Sequence, residues 1–201
     1  MSAKPRRPAA TPRSVAIVNQ KGGVAKTTTA VSVAAAEAGL SVLLVDLDPQ
    51  ASATRWLAAE PTTDNAGVPR TVLQVLDGTC TVDEVAVPCV AVGVEVLPAT
   101  IDLVGAERTL GGEPGAELTL RTALADAKPR DLVLFDCPPT LGLLAVNALV
   151  AAREVLVPIR HSVRLSEAPS AHEPITMYDP TSNVAQDYRD ATTALLARGA
   201  P

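Results

Sequence analysis

The sequence predicts an α/β domain built on a mostly parallel sheet with helices on both faces. The first observation behind this is the stretch Ser14–Gln50, SVAIVNQKGGVAKTTTAVSVAAAEAGLSVLLVDLDPQ. It holds a β-branched apolar run (Val15–Val18), a Gly-bearing turn (Gln20–Lys26), a helical pattern from Lys26 and a second apolar run (Ser41–Val45). That order of strand, turn, helix and strand is a βαβ unit. The second observation is that short apolar runs recur, Val94–Leu97 and Leu132–Phe135 among them, as parallel strands covered on both faces require. The third is composition. The chain has 201 residues, 47% hydrophobic but only 2% aromatic, so Ala, Val and Leu must build the core, and the length suits one well-cored domain.

Residues 1–13 read as a disordered basic tail and residues 14–201 as the domain. The tail concentrates Lys4, Arg6, Arg7 and Arg13 in a Pro/Ala-rich stretch with no apolar segment, so it is not a secretory signal. It is either solubilising or a weak, salt-sensitive DNA-binding arm. The first helix presents Ala30, Val31, Val33, Ala34 and Ala38 on one face and stops at Gly39. A short helical piece is expected around Ser52–Leu57, followed by a Pro/Thr/Asp/Asn/Gly-rich loop over Glu60–Pro69. Helical turns are expected over Thr71–Leu76 and Val82–Val87, then the strand Val94–Leu97. Helices follow over Ile101–Leu110, halted by Gly111-Gly112, and over Ala116–Ala127, halted before Pro129. The strand Leu132–Phe135 delivers Asp136, and Gly142–Ala152 is helical with an apolar stripe suited to core packing. Arg153–Pro158 reads as another strand. Ser182 is a candidate N-cap for a last helix ending near Ala197.

The chemistry suggested by the first turn follows from the backbone. A helix N-terminus presents unpaired N–H groups and a partial positive charge, both of which attract phosphate oxygens. Gly22 and Gly23 let the backbone approach a phosphate closely and adopt positive φ. Lys26 would reach the β/γ-phosphates, and the Thr27 hydroxyl would coordinate Mg²⁺. The phosphate cradle is expected to comprise Lys21, Gly22, Gly23, Val24, Ala25, Lys26, Thr27 and Thr28. The spacing departs from the usual P-loop: Gln20 and Ala25 stand where glycines are the rule. If Ala25 needs positive φ, its Cβ costs about 1 kcal/mol or more.

Two further acidic positions belong at the same edge. Asp136 ends an apolar strand, and ligands bind at the carboxyl ends of strands in open α/β sheets, so it would hold Mg²⁺ through water. The alternative is a structural Asp capping the next helix. Asp46 and Asp48 share a face at another strand end, either as metal-side and water-orienting carboxylates or as a solvated acidic turn.

The double-lysine form KGGVAKTT resembles the deviant Walker A loop of the ParA/MinD superfamily, and the match with ParA (Soj-like) partition ATPases is close. NQKGGVAKTTT, LLVDLDPQASAT, PATIDLVGAE, LVLFDCPPTLGLLAVNAL and SVRLSEAPS resemble the family's motifs in order, covering nearly all of the chain after its first dozen residues. The resemblance implies a P-loop ATPase fold, ATP and Mg²⁺ as ligands, and a cytoplasmic, nucleoid-associated protein. It implies a nucleotide-dependent homodimer that binds DNA non-specifically and works with a ParB-like partner in chromosome or plasmid partitioning. By the same resemblance, Lys21 reaches the partner's phosphate across the dimer and Lys26 serves the same charge in its own subunit. Asp46 sits in the metal's outer shell, Asp48 is the residue whose loss stops hydrolysis, and Arg164 lies on the DNA-binding face. On its residues alone, Arg164 reads equally as a surface ion-pair partner of Glu167.

One departure stands out. In ParA proteins the strand resembling Arg153–Pro158 is followed by helix, strand and helix before the segment resembling Ile159–Pro169, whereas here the two join at Pro158-Ile159. More than about 30 residues are absent, a whole βαβ unit's worth. The fold is therefore expected to be truncated by a helix-strand-helix segment, exposing a strand edge and apolar surface and placing base recognition in doubt. An internally truncated, catalytically inactive paralogue acting only as an interaction module is the alternative. Net charge of −5 argues against a broad basic surface while allowing a local patch. Cys80, Cys89 and Cys137 fit no metal pattern, and His161 and His172 have no partners at metal or triad spacing. No apolar run is long enough to cross a bilayer, and the last helix lacks the face of a membrane anchor.

Overall fold

The computed structural model describes residues 13–23, 25–36, 40–91, 93–158 and 173–197. Its strands are β1 (Arg13–Ile17), β2 (Val42–Asp46), β3 (Val87–Pro88), β4 (Val94–Leu97), β5 (Leu132–Asp136) and β6 (Glu154–Leu156). They form one six-stranded sheet in the order β3-β4-β2-β5-β1-β6. Every neighbouring pair is parallel except β3 with β4. The helices are α1 (Lys26–Ala36), α2 (Ser52–Trp56), α3 (Val72–Leu76), α4 (Val82–Val85), α5 (Ala106–Leu110), α6 (Thr119–Ala125), α7 (Leu143–Ala151), α8 (Ile175–Tyr178) and α9 (Asn183–Ala197), with 3₁₀ turns at Ile101–Gly105 and Ala116–Leu118.

Side chains alternate across each strand, so the sheet feeds two apolar layers. Val15, Ile17, Leu44 and Leu134 pack under α1 with Ile175 of α8. Ala16, Leu43, Val45 and Phe135 pack under α3, α6 and α7. Central strands β2 and β5 are buried along their whole length, which explains their unbroken apolar sequence. The expected α/β architecture, with helices on both faces, is therefore the observed one.

Local chemistry explains the short elements. Thr71 with Gln74 and Thr81 with Glu84 form capping boxes that start α3 and α4, satisfying donors that helices this short would otherwise leave open. Buried Asn147 of α7 accepts at Oδ1 from the Thr119 hydroxyl (3.1 Å) and the Leu120 amide (3.1 Å). Its Nδ2 donates to the Ala116 (2.8 Å) and Leu143 (3.1 Å) carbonyls. This one side chain thus ties the start of α6 to α7. Arg130, buried ahead of β5, joins Asp83 at 2.8 Å and Glu95 at 3.1 Å, linking α4 to β4.

Several expected boundaries shift. The helical turn expected to run through Val87 ends at Val85, and Val87 and Pro88 pair antiparallel with Val96 and Glu95. The residue before a proline avoids helical backbone, and a proline is tolerated on an edge strand. The helix expected over Ala116–Ala127 opens as a 3₁₀ turn and ends at Ala125. Arg13, assigned to the tail from sequence, opens β1, and its guanidinium pairs with Glu154. The strand expected over Arg153–Pro158 contracts to Glu154–Leu156 and is the last strand on its side of the sheet among the described residues. Val155 and Val157 there are 54% and 52% exposed. Ser182 caps α9 by accepting from the Ala185 amide at 3.2 Å.

Candidate functional site: a phosphate-sized loop facing buried carboxylates

Parallel register assembles the site. Ile17, the last residue of β1, lies opposite Asp136, the last residue of β5, which lies opposite Asp46, the last residue of β2. The loop from β1 to α1 and both aspartates therefore meet at the carboxyl edge of the sheet, where such sheets bind ligands.

The loop is held open by its own backbone. Gly23 has φ +71°, and a Cβ built on Gly22 or Gly23 meets no protein atom within 4 Å, so there is room beside the chain for a ligand. Ala25 also lies in the left-handed region at φ 62°, the more strained of the two conformations its sequence position left open. The Lys26 side chain is buried and its Nζ donates to the Lys21 carbonyl at 3.2 Å, folding the loop around the ammonium. Lys21 is exposed, Thr27 half-buried and Thr28 buried. Val24 and Arg164 lie outside the described residues, as do His161 and His172.

The carboxylates differ sharply. Asp46 is fully buried and well partnered: Oδ2 accepts from the Thr54 amide (2.9 Å) and hydroxyl (2.8 Å), and Oδ1 from the Asp48 amide (3.1 Å). Burial nonetheless outweighs those bonds and pushes its pKa up to about 6. Asp136 is equally buried, and neither of its oxygens meets hydrogen-bond geometry, although the Thr27 hydroxyl lies near enough to pull on its charge. Burial first, then the Asp46 charge, drives its pKa well above the ordinary carboxylate range, against the pull of the Thr27 hydroxyl and Lys26. A buried carboxylate without well-formed hydrogen bonds, beside a hydroxyl and an ammonium, is costly unless something charged completes it. A hard cation that takes oxygen ligands fits that need. Asp48 is half-buried and accepts from the Gln50 amide at 2.9 Å, shaping the turn after β2.

Two residues that sequence reasoning assigned no role now have one. The Thr54 hydroxyl donates to Asp46 and accepts from the Ala99 amide at 3.0 Å, bracing the end of β2 against the loop after β4. Asn19 accepts from the Lys21 amide (3.0 Å) and donates to the Pro158 carbonyl (3.0 Å), coupling the phosphate loop to the chain end of β6. Thr54 stood inside LLVDLDPQASAT, so only its three-dimensional partners were hidden. Cys137 packs against this edge, and burial pushes its thiol up to about 12, so it is inert as a nucleophile.

Known proteins with this arrangement can be set beside it. A family model described as an AAA domain matches residues 12–168. The sporulation initiation inhibitor protein Soj of Bacillus subtilis is 32% identical over 253 aligned positions, spanning 92% of this chain and 98% of that protein. The chain belongs to the ParA/Soj family. Its P-loop and mostly parallel sheet are the family's. The chromosome-partitioning ATPase Soj of Thermus thermophilus is 47% identical over 150 residues, 74% of this chain and 55% of that protein. Several such matches take in only about half of the relative's length. The Bacillus alignment has more positions than this chain's 201 residues, so gaps in this chain absorb the difference. Among solved structures, cobyrinic acid a,c-diamide synthase from Mycobacterium smegmatis with bound ADP and magnesium superposes with a TM-score of 0.68. It is 40% identical, over 83% of this chain and 69% of that one. Among the described residues, no helix is long and apolar enough to cross a membrane.

Proposed function

We propose that this chain is a ParA-like ATPase that binds Mg·ATP, dimerises on nucleotide and acts in chromosome or plasmid partitioning with a ParB-like partner and non-specific DNA. The observation that carries the nucleotide site is Asp136, fully buried with neither oxygen in hydrogen-bond geometry at the mouth of the phosphate loop. The solved relative with ADP and magnesium supports the same ligands here.

In this reading the loop amides of Gly22, Gly23, Val24 and Ala25 bind the phosphates, and Lys26 neutralises charge on the β- and γ-oxygens. The Thr27 hydroxyl would hold the magnesium ion, with Asp136 and Asp46 reaching it through water. When bound, that ion offsets charge on the phosphate oxygens. Asp48 orients a water for in-line attack on the γ-phosphorus, and the bond to the β–γ bridging oxygen breaks as the new P–O bond forms. Lys21, exposed at the rim, is free to reach a second subunit's nucleotide. Leu141 and Val157, 67% and 52% exposed, share a cavity wall with Lys21 and supply apolar area for that second subunit. DNA contact through Arg164 belongs to the same proposal.

A second reading rests on the alignment gap and on β6 being the last strand on its side among the described residues: a truncated paralogue that folds but neither binds nor cleaves ATP. Thermal melts separate the two, because a ligand bound only by the folded state raises the midpoint. A rise with Mg·ATP that Lys26→Ala abolishes is the expected result. An unchanged midpoint would establish the interaction-module reading.

A further inference from the structure

We infer that the opposite end of the sheet carries a second ligand site, a cavity for a small anionic amphiphile: a carboxylate or phosphate head on an apolar body. The cavity has a volume of about 610 Å³, within the range of small-molecule sites. It lies where β1, β2 and β5 begin and where α6 and α7 end, so the sheet separates it from the phosphate loop.

Its lining is sorted by chemistry. Leu124, Val133 and Val150 contribute an apolar wall. Its charged lining residues are Arg121, Lys128, Arg130 and Arg153, with no carboxylate among them. Glu95 engages Lys128 at 2.8 Å, and Arg130 is held by Asp83 and Glu95. Arg121 and Arg153 are exposed, and among the described residues neither guanidinium has a hydrogen bond or ion pair. Arginines near helix ends can be retained for the helix dipole alone. At the end of α7, however, the Ala151 carbonyl already accepts from the Ser14 hydroxyl (3.1 Å) and the Ala148 carbonyl from the Ala152 amide (2.8 Å). Those carbonyls do not need Arg153.

Two guanidiniums that are unpaired among the described residues lie over an apolar wall, on a chain of net charge −5, and select for an anion against the overall field. Inorganic phosphate would meet only the charge requirement. An alkyl carboxylate or alkyl phosphate meets both.

The test is calorimetric titration of the full chain with decanoate, below its micelle concentration, and with decylamine as the same chain of opposite charge. We expect decanoate to bind one per chain and decylamine about tenfold or more weaker. The double variant Arg121→Gln/Arg153→Gln should lose decanoate binding by a similar factor, and Arg121→Lys/Arg153→Lys should restore most of it. Both variants should keep the wild-type circular dichroism spectrum and the wild-type response to Mg·ATP, whatever that response is, so failure here is separable from failure of the ATPase reading. Equal binding of decylamine, no binding of decanoate, or indifference to the Gln variant overturns the proposal. Displacement of decanoate by a short DNA duplex acting through the same arginines also overturns it, in favour of a phosphate-backbone surface.

Discussion

Asp136 sets the energetics of the site. Its ionisation in a dry pocket next to Asp46 is unfavourable, and the raised pKa of each carboxylate states that cost. For Asp46 the folded value is about 6 against an ordinary 3.8. Between those values the folded protein keeps a proton that the unfolded chain has lost. The stability it contributes is therefore complete below 3.8 and disappears as pH rises through 6, on the order of 2–3 kcal/mol. Urea unfolding of the ligand-free protein should show Asp136→Asn stabilising it at pH 7.5, and more at pH 7.5 than at pH 5. The same variant should lose any midpoint rise with Mg·ATP. Equal effects at the two pH values would show that the pair does not titrate as described. Ala25 gives a second prediction. Its φ of 62° is strained for a residue with a Cβ, so Ala25→Gly should raise stability by about 1 kcal/mol, read as a higher melting midpoint.

Short helices persist here because polar side chains close their ends and tie them to longer neighbours. Asn147 makes four such bonds from one buried amide. Asn147→Leu would leave the Leu120 amide without its side-chain acceptor in the core, while the Thr119 hydroxyl still reaches the Ala116 carbonyl at 3.1 Å, costing about 1–3 kcal/mol. Hydrogen exchange should then show α6 opening before β5. Thr54→Val tests the corresponding brace at the site: it frees the Ala99 amide and removes one donor from Asp46. A loss of about 1–3 kcal/mol is expected, with a further rise in the Asp46 pKa. None of these partners could be named from spacing. Asn147 lies 31 residues from Ala116, and Thr54 lies 45 from Ala99.

Among the described residues the sheet ends on β6, a three-residue strand, with Val155 in it and Val157 just beyond it exposed. Unpaired edges with apolar side chains template association, and charge on the edge blocks it. Val155→Lys should reduce self-association of the nucleotide-free protein, measured by light scattering across a concentration series. Association that persists unchanged would place the contact elsewhere, for example around Leu141 beside Lys21.

The sequence alone determined the sheet's central strands, the βαβ entry and the residues gathered at its carboxyl edge. Buried parallel strands must be continuously apolar, and a phosphate loop needs its glycines and lysine in fixed order, so both leave local marks. Val42–Val45, Leu132–Phe135, Lys26 and Asp136 were legible for that reason. Folding in three dimensions decided which carboxylate is well hydrogen-bonded and which is not. It decided that Val87-Pro88 is an edge strand, and that Arg121 and Arg153 share a cavity. Those outcomes depend on contacts between distant segments, and such contacts leave no periodicity in the chain.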